Sequence, residues 1–130
     1  MLFRSLETAE SKYLKAGDLV AKMEADKKKA VKESAEARVL LQAEVDDQFK
    51  GVRKEVLMNI YRTKGEAEYL NQLSISGNAR VKALVKLVRL NDEYSKGYDE
   101  LIPKLKDYAE SILNENNVTE QNTEIGRAHV

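Results

Sequence analysis

Residues 74–90 read Ser74-Ile75-Ser76-Gly77-Asn78-Ala79-Arg80-Val81-Lys82-Ala83-Leu84-Val85-Lys86-Leu87-Val88-Arg89-Leu90. The reading of this stretch decides the fold. Gly77 and Asn78 both tolerate left-handed backbone angles, and the Asn78 side chain can cap a following helix. A turn over 74–78 therefore separates two helical arms. From Val81 to Leu90, only Lys82, Lys86 and Arg89 interrupt a run of Val, Ala and Leu. So wide an apolar arc predicts packing against more than one neighbour.

Upstream of the turn, residues 6–73 contain no Pro, and their only Gly residues are Gly17, Gly51 and Gly65. An interior Gly destabilises a helix by roughly 1 kcal/mol relative to Ala. Three are tolerable in so long a run, and the sequence predicts one coiled-coil-like helix over 6–73. Its early apolar residues are Leu6, Ala9, Tyr13, Ala16, Val20 and Met23, at alternating steps of three and four, with Lys27 next. Its later ones are Leu41, Val45, Phe49, Val52, Val56, Ile60, Thr63, Ala67 and Leu70, at steps of four, four and three. The first pattern is a seven-residue repeat, which favours a left-handed supercoil. The second is an eleven-residue repeat, which favours a straight or right-handed one. Between them the seam is poor, because Lys27, Ser34 and Arg38 fall on or near it. Residues 26–38 are therefore expected to be the weakest helical section.

Downstream, a second arm covers 79–113. Ser95-Lys96-Gly97 predicts a break near 95–99, with Asp99 capping a short third helix. That places Pro103 in or just past a first turn, where it is tolerated. Residues 114–124 are polar and unpatterned, and are expected to be disordered. The expected fold is all-α: a long helix folded back as an antiparallel helical hairpin or coiled coil, with room for that short third helix.

Composition fits. Of 130 residues 34% are charged and 42% apolar, with aromatics only 6% and 22 basic residues against 22 acidic ones. This is the make-up of long helices. The two ends stand apart from it. Leu2-Phe3-Arg4-Ser5 and Ile125-Gly126-Arg127-Ala128-His129-Val130 resemble a widely used short-read sequencing adapter translated from opposite strands. Residues 1–5 and 125–130 are expected to be artefact, with the native fragment running from about Leu6 to Thr123 or Glu124. Such scars are left out of fold reasoning.

Catalysis has little to work with. The chain has no Cys, and its one His is His129, inside the adapter-like string. Thiolate and His-pair metal sites are excluded, and no Glu-x-x-His pair is present for a di-metal bundle. The Gly residues are scattered, so no phosphate loop forms. Asp46 with Asp47, and Glu66 with Glu68, do not share a helix face. The sequence therefore predicts no enzyme, no cofactor and no small-molecule substrate. Lys27-Lys28-Lys29 with Lys32 reads as a solvated face beside nearby acids.

Two functional readings follow. The leading one is a non-catalytic structural or interaction segment of a larger protein, a spacer or assembly element. Its expected seam is Val45, Phe49, Val52, Val56, Ile60, Leu70, Leu84, Val88, Leu105 and Ile112, engaging a protein partner or a second copy. The rival is a peripheral module. No acid lies between Asn71 and Asn91, so Arg80, Lys82, Lys86 and Arg89 would face an anionic membrane or a nucleic-acid complex. The cytoplasm is the default compartment, in the absence of Cys and of a transmembrane run.

Overall fold

The computed structural model describes residues 8–129, with side chains described as far as Asn114. Residues 1–5 and the side chains of 125–130, which carry the adapter-like strings, lie outside the described residues. The chain is all-α and folds back as an antiparallel helical hairpin. Four helices occur among the described residues: α1 (Ala9–Gln48), α2 (Val52–Lys64), α3 (Glu66–Ser76) and α4 (Ala79–His129). They build two units, residues 28–95 and, separately, the described parts of 1–27 and 96–130.

The turn between the arms is shorter than the expected 74–78: helix α3 runs on through Ser76, and only Gly77 and Asn78 lie between it and α4. The N–H of Gly77 donates to the Leu73 carbonyl at 2.9 Å and closes α3. Asn78 then opens α4, its Oδ1 accepting the Val81 N–H at 3.0 Å. The reason for Gly77 differs from the expected one. Its backbone is extended, with φ −79° and ψ 160°, which any residue adopts. A Cβ at Gly77 would lie 2.5 Å from the Val81 Cγ1, so close approach, not backbone freedom, requires glycine there.

The single helix over 6–73 is not formed. It is broken at Gly51, with φ 57° and ψ −131°, and at Gly65, with φ 96° and ψ 174°. Both lie where L-residues are strained. The cause is tertiary. A straight helix would have put Leu57, Tyr69 and Leu73 off the seam. The two breaks instead bring them into one core with Leu41, Val45, Phe49, Val81, Val85 and Val88. Full burial of each such side chain stabilises by about 1.5–3 kcal/mol, which exceeds the local penalty of a broken ladder.

The same breaks leave two expected seam residues in solvent. Val52 is 74% exposed and Val56 53%. The eleven-residue spacing that joined them to Val45 holds only in an unbroken helix.

In unit 28–95, α1 and α4 run antiparallel. Glu44 meets Arg80 at 3.3 Å, while Ser34, ten residues earlier, bonds Asp92 on the far side. The α1 residues turned into this unit are small toward its start: Ala30, Ser34 and Ala37 precede Leu41 and Val45. In the other unit the helices are also antiparallel. Lys27 pairs with Asp99, and Glu24 with Lys106 at 3.0 Å. Among its described side chains, Ala16, Ile102, Ala109 and Ile112 are buried.

The predicted break near 95–99 is absent. Helix α4 runs through Gly97 and Pro103. Asp99 caps nothing; it lies inside α4 and pairs with Lys27. The buried or half-buried positions Tyr98, Ile102, Leu105, Ala109 and Ile112 keep steps of four and three across Pro103, so packing holds the helix together despite the missing N–H donor at Pro103. The α4 backbone is also helical over 114–124, where disorder is expected. Extending a nucleated helix adds one hydrogen bond per residue fixed, without a second nucleation penalty.

Candidate functional site

The poor seam of 26–38 holds the principal polar site of unit 28–95. Ser34 and Arg38 lie one turn apart on α1, Glu66 opens α3, and Asp92 lies on α4. The Arg38 Nε donates to the Glu66 Oε2 at 2.9 Å, and its Nη2 to the Oε1 at 2.6 Å. The same Nη2 donates to the Asp92 Oδ2 at 2.6 Å, and Nη1 to the Oδ1 at 3.2 Å. Nη1 also donates to the Ser34 Oγ, whose own hydroxyl donates to Asp92.

A guanidinium has five N–H donors, and five bonds use them here. Arg38 thus ties three helices together with nothing left to offer a substrate. Lys could not replace it, since one ammonium cannot bind two carboxylates in two-pronged fashion. Glu66 also sits in the first turn of α3, where the helix dipole favours an acid.

The electrostatics follow. Hydrogen bonds to Glu66 and then Asp92 push the Arg38 guanidinium well above its ordinary value, against the opposing effect of burial. Burial pushes the Asp92 carboxyl up, but the bonds from Arg38 and Ser34 outweigh it and hold the group below its ordinary 3.8. A carboxyl depressed in the folded state stabilises that state above its unfolded pKa, and this contribution is lost as pH falls through the folded value. The Asp92 contribution should therefore be constant from neutrality down to about pH 4 and decline below it. Urea unfolding across this range checks it. Asp92→Asn should flatten the acid-side decline, and an unchanged slope would show that Asp92 does not supply it.

Beside the cluster lies a cavity of about 270 Å³ whose walls include Leu41, Met58, Tyr61, Glu66 and Tyr69. The Tyr61 and Tyr69 rings meet edge to face, 5.1 Å apart at 89°. The Tyr69 hydroxyl is buried and has no hydrogen-bond partner among the described residues. Burial, aided by the negative charge of Asp46, pushes it up to about 12.

The sequence-predicted residues divide. Val45, Phe49, Leu70, Val88 and Ile112 are buried; Ile60, Leu84 and Leu105 are half-buried. Val52 and Val56 are the exceptions described above. Of the cationic set, Arg80 pairs with Glu44, and Arg89 Nη1 donates to the Ser74 Oγ at 3.2 Å. Lys82 and Lys86 are exposed. Elsewhere on α1, Asp46 binds Lys54 at 2.9 Å and Glu24 binds Lys106 at 3.0 Å.

Sequence reasoning missed the Ser34–Arg38–Glu66–Asp92 cluster. The available signal was the run of polar residues at seam positions, which marks where a seam needs polar partners. Among the described residues no group of three or more His, Cys, Asp or Glu could hold a metal ion. No helix among them is long and apolar enough to cross a membrane. Compared with known proteins, the chain matches no family model, no curated protein and no solved structure.

Proposed function

We propose that this chain is a non-catalytic coiled-coil segment of a larger protein, a spacer or assembly element that works by presenting helix faces to a protein partner. One observation carries the reading. The inner stripes of α1 and α4 in unit 28–95 are already filled, yet their outer faces keep large apolar side chains in solvent, with Val39 70% and Leu40 57% exposed. Apolar surface that folding leaves unused marks an interaction face. The saturated Arg38 cluster supports the same reading, since polar groups at seam positions fix the register of a helical pair.

Sedimentation velocity over a concentration series tests it. Association that grows with concentration, at unchanged helicity, is the expected result. A helical species that stays strictly monomeric throughout would overturn the assembly role.

The membrane alternative is disfavoured by Val81, Val85 and Val88, which are 0%, 1% and 0% exposed. Inserting that face into lipid would strip the core of its α4 side. Anionic phospholipid vesicles at low salt should therefore leave the chain in the supernatant. Cosedimentation abolished by Lys82→Gln, Lys86→Gln and Arg89→Gln together would establish the alternative instead.

A further inference from the structure

We propose that the interaction face is used by a second copy of this chain, the outer face of α1 in one copy docking on the outer face of α4 in the next. The proposal rests on the assembly role above and names its partner. On α1, Glu36, Leu40, Ala43 and Asp47 follow one another at steps of four, three and four, and all are exposed. They form one stripe, apolar in the middle and acidic at both ends. Beside it stands the exposed Val39.

On α4, Ala83, Leu87 and Leu90 follow at steps of four and three, also exposed. Lys82, Lys86 and Arg89 flank them one position away. The two stripes are complementary in charge and in size. Each pairs Leu with Ala at helical spacing, so the large side chains of one can enter the gaps of the other.

The charge balance of the two segments points the same way. Residues 33–47 of α1 carry Glu33, Glu36, Glu44, Asp46 and Asp47 against Arg38 alone. That arginine is consumed by its own cluster. The α4 segment carries Arg80, Lys82, Lys86 and Arg89 with no acid between Asn71 and Asn91. Glu36, Asp47, Lys82 and Lys86 have no ion-pair partner among the described residues. They are the charges left over for a second copy.

The two stripes cannot meet within one copy. Each lies opposite the buried stripe of its own helix, Ala37, Leu41 and Val45 on α1 and Val81, Val85 and Val88 on α4. Both buried stripes enter the same core, so the outer faces look away from each other. A contact between unlike faces is heterologous. It leaves a free α1 face and a free α4 face on every pair, and assembly can continue past the dimer.

Charge exchange tests this. One variant carries Lys82→Glu and Lys86→Glu; a second carries Glu36→Lys and Asp47→Lys. All four sites are exposed, so circular dichroism should show unchanged helicity. In sedimentation velocity each variant alone should associate roughly tenfold or more weakly than the wild type, since like charges then oppose. Mixing the two should restore association, because each supplies the face the other lacks. The variant with all four changes should associate with itself again. Raising the salt should weaken association in the wild type and in the fourfold variant alike.

Association that is indifferent to the exchanges, or exchanges that the mixture and the fourfold variant fail to rescue, would overturn this interface while leaving the assembly role standing. A wild type that never associates would overturn both.

Discussion

Replacing Leu73 by Ala should lower the unfolding free energy by about 2–5 kcal/mol, the range for a fully buried leucine. Leu73 is 0% exposed and packs within the core of unit 28–95 with Val45, Leu70, Val81 and Val85. It sits one turn before Gly77, whose open side is already closed by Val81. The site therefore has little freedom to collapse around the missing atoms. Native domains are stable by only about 0.05–0.15 kcal/mol per residue, so this loss takes a large part of the whole. Urea titration followed by circular dichroism reads it as a fall in midpoint at unchanged slope. Val52→Asp provides the contrast. Val52 projects into solvent from the first turn of α2, where an acid is favoured by the helix dipole. It should change stability by no more than about 0.5 kcal/mol. Were Val52→Asp the damaging change and Leu73→Ala the mild one, the unbroken helix read from the spacing would be the correct structure.

The reversal between these two residues shows which parts of the fold were legible. Asn78 announced the hairpin because an Asx cap is a local device, completed within three residues by the Val81 N–H. The inner stripe of α4 was legible for the same reason, since Val81, Val85 and Val88 recur at helical steps. The breaks at Gly51 and Gly65 were not. Gly97 is also a lone glycine in a helical run, yet α4 passes through it. What separates the three is where Leu57, Tyr69 and Leu73 must go, a question of distant contacts. The Arg38 cluster was hidden by the same distance. Asp92 is 54 residues away along the chain, and only the turn at Gly77 and the break at Gly65 bring it and Glu66 to one guanidinium.

Gly65→Ala, and more so Gly51→Ala with Gly65→Ala, should destabilise the folded unit while favouring the straight helix that the spacing describes. Nothing lies within 4 Å of a Cβ built at either position, so the penalty is backbone strain alone. An L-residue at φ 57° with ψ −131°, or at φ 96° with ψ 174°, is strained by about 1–3 kcal/mol. Alanine at the same time gains roughly 1 kcal/mol over glycine in a continuous helix. Both effects oppose the folded arrangement and neither opposes helix. The double variant should hold or raise its helicity while the near-ultraviolet signal of the Tyr61–Tyr69 pair is lost and the midpoint of cooperative unfolding falls. Mirror-image substitution isolates the cause. For a D-alanine these backbone angles correspond to ordinary extended L-geometry, so D-alanine at 51 and 65, introduced by chemical synthesis, should recover the tyrosine signal. Equal damage from D- and L-alanine would mean that space, not backbone angle, reserves these positions for glycine. Equal stability of L-alanine and wild type would mean that the helix is not broken there.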